Sequence, residues 1–85
     1  MTAIEIVRPG GPDVLVPATR AVPVPGPDDV LIRIHAAGVN GPDVFQRKGL
    51  YDPPPGASDI PGLEIAGEVV AVGRDVTRFA VGDRV

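Results

Sequence analysis

Eleven glycines and eleven prolines break up a chain of 85 residues. Glycine admits turn conformations that other residues avoid, and proline can neither donate to a sheet ladder nor continue a helix. Regular elements must therefore be short and set between turns. A hydrophobic share of 44% argues for a folded segment punctuated by these residues rather than for disorder. The length allows one small domain with a thin core. Two Phe, one Tyr and no Trp leave its packing to Val, Ile, Leu and Ala.

Along the chain, Ala3, Glu5 and Val7 alternate with Ile4 and Ile6 in a short strand that ends at Arg8-Pro9-Gly10-Gly11, where a first hairpin is expected. The segment 14–25 is rich in β-branched residues but carries Pro17, Pro23 and Pro25, which assigns it to a sheet edge. After the turn cluster Pro25-Gly26-Pro27-Asp28-Asp29, Val30, Ile32 and Ile34 fall on one face of a strand and Leu31, Arg33 and His35 on the other. Asn40 can then cap a helix of one or two turns, with Pro42 in the first turn and Gly49 as the stop. Four prolines in 50–61, three of them consecutive at Pro53-Pro54-Pro55, favour a shaped surface loop. A strand over 63–72, with Leu63, Ile65, Val69 and Ala71 on one side, is expected to turn at Gly73-Arg74-Asp75 toward a further strand at 81–85. Short strands, one short helix and frequent turns predict a mainly β domain, a barrel or partly open sandwich.

A net charge of −3 with eight scattered basic residues offers no patch for a phosphate backbone, so no nucleic-acid partner is expected. No apolar run approaches the ~20 residues that span a bilayer, and no basic-then-apolar leader opens the sequence. The expectation is no membrane partner and a cytoplasmic location. The absence of cysteine removes disulfides and any thiolate metal ligand. Gly62 and Gly67 have the outer spacing of a phosphate loop, yet no Lys-Ser/Thr follows and the segment reads as a strand, so close backbone packing is preferred. His35 has no accompanying base or nucleophile and is expected to be a solvated or edge-strand side chain.

From Ile34 to Val85 the chain presents in order Gly38-Val39-Asn40, Gly49-Leu50-Tyr51 ahead of the proline-rich loop, Pro61-Gly62-Leu63-Glu64-Ile65-Ala66-Gly67-Glu68-Val69-Val70, and Val81-Gly82-Asp83-Arg84-Val85. In this order of motifs it resembles the N-terminal catalytic domain of zinc-free medium-chain dehydrogenases/reductases of the NADPH:quinone oxidoreductase family. The resemblance implies a GroES-like fold, a partly open β-barrel with one short helix, incomplete in this chain. Residues 1–85 would be the N-terminal portion of that domain, with the Rossmann cofactor domain absent from this chain. It also implies hydride transfer from NADPH to a quinone or similar conjugated carbonyl in a full-length homodimer, with no activity expected of the 85 residues alone. An enoyl or alkenal reductase of the same superfamily is one alternative. A non-catalytic binding or oligomerisation module on the same barrel is the other.

Zinc-dependent relatives place a Cys after the Gly-Val of the third strand and a His before the Glu of the later strand. Here those positions hold Asn40 and Leu63. Neither an amide nor an aliphatic side chain serves as such a ligand, so no metal is expected. Without a Lewis acid the acceptor should be electron-poor, a quinone or conjugated enone, while the protein orients it, excludes water and stabilises developing charge. The resemblance makes Tyr51 and Asn40 the catalytic candidates and Asn40, Asp43 and Gln46 the cofactor-binding ones. The Asn40 amide can donate and accept, toward the nicotinamide ribose or the substrate oxygen, or it can simply cap the helix. The Tyr51 phenol can orient or protonate an oxygen, with plain loop packing as its alternative. Asp43 and Glu64 occupy acidic positions of the family motif and are expected to pair with an Arg elsewhere. Gln46 shares a helical side with Pro42 and Asp43 and either reaches the pocket rim or faces solvent. Arg33, Arg47, Arg74, Arg78 and Arg84 are expected as surface charges.

Overall fold

In the computed structural model, which describes all 85 residues, the element order is β1 (Thr2–Ile6), a 3-10 turn (Pro12–Val14), β2 (Leu15–Thr19), β3 (Val30–Ala37), α1 (Gly41–Arg47) and β4 (Ile65–Val72). The mainly β reading with one short helix holds. The elements fall into two compact units, Met1–Ala21 with Gly38–Glu64, and Val22–Ala37 with Ile65–Val85. Each contains one two-stranded antiparallel sheet, and neither sheet closes into a barrel.

In the first unit β1 pairs with β2 from Thr2↔Thr19 to Ile6↔Leu15. Pro17 sits opposite Ile4 in this sheet. Its missing N–H is tolerated because the ladder has no third strand. Pro23 and Pro25 lie beyond the ladder, so the expected edge strand is confined to Leu15–Thr19. Val14, the last residue of the 3-10 turn between β1 and β2, is buried at 1% exposure, and Val7 N–H donates to its carbonyl at 3.1 Å.

Helix α1 forms where its local signals place it. Asn40 is extended at the N-cap, Pro42 lies in the first turn, and Gly49 adopts φ +80 just past the Lys48 C-cap. That positive φ lets Gly49 N–H reach Gln46 O at 3.1 Å and Leu50 N–H reach Phe45 O at 2.8 Å, satisfying carbonyls the helix end would leave open. Arg47 departs from its expected role as a surface charge. Its Nε donates to Gly10 O at 3.1 Å while Gly10 N–H donates to Arg47 O at 3.0 Å, so the residue staples the helix end to the hairpin connection.

In the second unit β3 and β4 pair from Val30↔Val72 to Ala37↔Ile65, with register shifts between Leu31 and Ile32 and between Ile34 and Ala36. Each shift moves following side chains to the other face, and the expected alternation of β3 fails for that reason. Ile34, expected to share a face with Val30 and Ile32, is 58% exposed. Val69 is fully buried and forms the centre of this unit. The later strand begins at Ile65 rather than at position 63, because the backbone turns at Gly62 with φ +128 before any ladder can start. The segment 81–85 makes a single bridge, Glu68↔Arg84, in place of the expected strand. Reciprocal bonds between Gly67 and Val85, each 2.9 Å, hold it there. Gly82 bends the backbone at φ +97 and prevents a longer ladder.

Candidate functional site

Asn40, Asp43, Gln46, Tyr51 and Glu64 all fall in the first unit, and three of them meet at the start of α1. Asp43 is the third helical residue, and its Oδ2 accepts from Asn40 N–H at 3.0 Å, closing the helix start. Its other oxygen, Oδ1, is buried and has no hydrogen-bond partner. Asn40 Nδ2 donates to Glu64 Oε1 at 3.2 Å. The Glu64 carboxylate can stand there because residue 38 is glycine; a Cβ at Gly38 would overlap Glu64 Oε1. Gly38 N–H also donates to Glu64 O at 3.0 Å, so backbone and side chain together fix this acid beside the amide. The expected arginine partners of Asp43 and Glu64 do not occur. The Asn40 backbone N–H binds one oxygen of Asp43 and the Asn40 side-chain amide binds Glu64 in their place.

Gln46 is committed as well. Its Nε2 donates to Asp59 O at 2.9 Å, leaving one Nε2 hydrogen and Oε1 unused. Asp59 is held a second time by Arg20, whose Nη1 and Nη2 reach its two carboxylate oxygens at 2.9 and 3.0 Å. Arg20 Nε donates to Glu5 Oε2 at 2.6 Å. Tyr51 lies between Gln46 and Asp59 in sequence, 36% exposed, at the head of the proline-rich segment. Hydrogen bonds thus join Asn40, Asp43 and Glu64 in one group and Gln46 with Asp59 and Arg20 in another, with Tyr51 outside both. Sequence reasoning missed Arg20 and Asp59, which lie 39 positions apart with no spacing to connect them. It also passed over Gly38, whose position two residues before Asn40 was the available signal. His35 is exposed on β3, and Gly67 lies within β4 with no helix after it, in line with the readings given to both.

The bonds from Arg20 hold the Asp59 carboxyl below its ordinary range, and the bonds to Asp59 and then Glu5 raise the Arg20 guanidinium above its own. Since the native Asp59 value is the lower one, the pairing contributes in full above about pH 4 and is lost only as pH falls through that lowered value. Arg20→Ala is expected to return the Asp59 carboxyl to ordinary titration, followed by its NMR chemical shift. An Asp59 that already titrates normally beside an intact Arg20 would refute the pairing.

No three His, Asp or Glu side chains converge as a metal-ligand set. No helix is long and apolar enough to cross a membrane. Residues 26–85 match the alcohol dehydrogenase GroES-like domain. The chain is 49% identical over 82 residues to a quinone oxidoreductase of Pseudomonas aeruginosa, covering 96% of this chain and 25% of that protein. Crystal structures of the Pseudomonas syringae pv. Tomato quinone oxidoreductase superpose with a TM-score of 0.83 at 45% identity, over 98% of this chain and 25% of that one. The Escherichia coli quinone oxidoreductase complexed with NADPH gives a TM-score of 0.84 at 37% identity, over 99% of this chain and 26% of that one. The chain therefore spans about a quarter of the length of these relatives.

Proposed function

Because the chain belongs to the alcohol dehydrogenase GroES-like domain family, within the medium-chain dehydrogenases/reductases, we propose that it serves as the acceptor-side part of an oxidoreductase that reduces a quinone or similar conjugated carbonyl with NADPH and without zinc. The observation that carries this reading is the Asn40–Glu64 contact: where zinc relatives place a thiolate, a neutral amide stands, oriented by a carboxylate at 3.2 Å. An amide so fixed cannot ligate zinc usefully, but its second Nδ2 hydrogen is free to donate to an oxygen.

The spare Asn40 hydrogen can serve the nicotinamide ribose or the acceptor oxygen, whereas Asp43 Oδ1 lacks a donor but is buried within the chain, out of reach of a bound nucleotide. NADPH, when bound, supplies the hydride. The chain's own groups act on the acceptor: Asn40 donates to the oxygen where negative charge develops, and the Tyr51 hydroxyl orients that oxygen or gives it a proton. Gln46, with one Nε2 hydrogen taken by Asp59, retains the other and Oε1 for a cofactor contact. The chain contains no G-x-G-x-x-G fingerprint, so the greater part of the nucleotide contacts would come from a Rossmann domain of the kind the resemblance implies.

The full-length protein is expected to give a higher kcat/KM with a quinone than with a conjugated enal at fixed NADPH. A preference for the enal would instead make it an alkenal reductase.

A further inference from the structure

The segment 50–61 is pinned at both ends. At its start, Leu50 N–H donates to Phe45 O at 2.8 Å, tying it to the end of α1. Near its finish, Gln46 on the same helix donates to Asp59 O at 2.9 Å, while Arg20 takes both Asp59 carboxylate oxygens at 2.9 and 3.0 Å. Arg20 is not a free side chain: Glu5 on β1 holds its Nε at 2.6 Å, and its backbone pairs with Met1 through Arg20 N–H to Met1 O at 2.9 Å. A loop with closed ends and a proline-rich interior has little conformational freedom left. A turn from Ala57 N–H to Pro54 O at 3.0 Å fixes its middle, and the Ile60 N–H bond to Ser58 Oγ at 3.1 Å fixes its finish.

We propose that Arg20, Asp59 and Gln46 form a clamp that holds the proline-rich segment as a rigid rim and so positions Tyr51 against the acceptor. This rests on the reading of Tyr51 given above. Arg20 and Asp59 are positioning residues, since they act through the loop. The bidentate geometry explains why arginine stands at position 20: a lysine keeps the charge but cannot span both oxygens.

The test compares Arg20→Ala, Arg20→Lys and the unsubstituted full-length protein by amide exchange and by steady-state kinetics. In Arg20→Ala the amides of Ala57 and Ile60 should exchange roughly three- to fivefold faster, the scale of an exposed ion pair, with Arg20→Lys between and Val69 unchanged as the folding control. The quinone KM should rise by roughly fivefold while kcat changes less than about twofold, because a misplaced rim weakens acceptor capture. A loss of folded protein would lower kcat and leave KM alone. Unchanged exchange at Ala57 and Ile60 overturns the clamp, and faster exchange with an unchanged quinone KM overturns the positioning role. If the unsubstituted protein reduces no quinone, the functional reading fails with the positioning role, and exchange still decides the clamp.

Discussion

Gly67→Ala is expected to lower stability by about 2–3 kcal/mol, the upper range for inserting a methyl where packing is already closed. A Cβ at Gly67 would lie 2.8 Å from Ile32 Cγ2 and 3.0 Å from the Arg33 carbonyl carbon. The carbonyl belongs to the paired strand and cannot swing away as a side-chain tip can. The effect is amplified because Val14 and Val69 are the only fully buried apolar side chains, so little packing elsewhere can absorb the strain. Gly67 also exchanges both its backbone bonds with Val85, and a displaced β4 would release that segment. Gly41→Ala is the control, since a Cβ there meets nothing within 4 Å and the residue is helical. Urea unfolding should show the Gly67 variant melting well before the Gly41 variant. Coincident transitions would mean the β3–β4 contact is looser than described.

The second large effect concerns Asn40, whose two roles separate cleanly by substitution. Asparagine and aspartate cap helices about equally well, whereas aspartate cannot donate a hydrogen bond. Asn40→Asp also sets a second carboxylate against Glu64, whose Oε1 now accepts from the amide at 3.2 Å. If Asn40 donates to the reacting oxygen, Asn40→Asp and Asn40→Ala should each lower quinone kcat/KM by roughly a hundredfold, as removal of one such donor does. If its work is only to cap α1, the aspartate variant should keep nearly full activity and the alanine variant should lose stability. Steady-state kinetics with a parallel thermal melt distinguishes the two.

What the sequence revealed follows the range of the interactions involved. Helix α1 was legible because Asn40, Pro42 and Gly49 each act within one turn of themselves. The faces of β3 were not, since two register shifts depend on the partner strand and leave no trace in the alternation of Val30 to His35. The motif order offers Asn40, Asp43 and Gln46 as candidates, yet the partners that fix Asn40 and Gln46, Glu64 and Asp59, are 24 and 13 positions away from them. The expectation that Glu64 pairs with an arginine failed because Gly38 opens room for its carboxylate beside the Asn40 amide, and an amide satisfies it without a cation. Arg47 was misjudged for a similar reason: its partner is a backbone carbonyl, Gly10 O, and backbone acceptors carry no residue-type signal.

The proposed hydride transfer to a quinone would run on a site where Asn40 and Leu63 offer zinc no ligand. The most direct measurement is NADPH oxidation by the full-length protein with a quinone, before and after exhaustive treatment with a chelator. Undiminished turnover in the metal-stripped protein is the predicted result. Activity lost to the chelator and restored by added zinc would contradict the account.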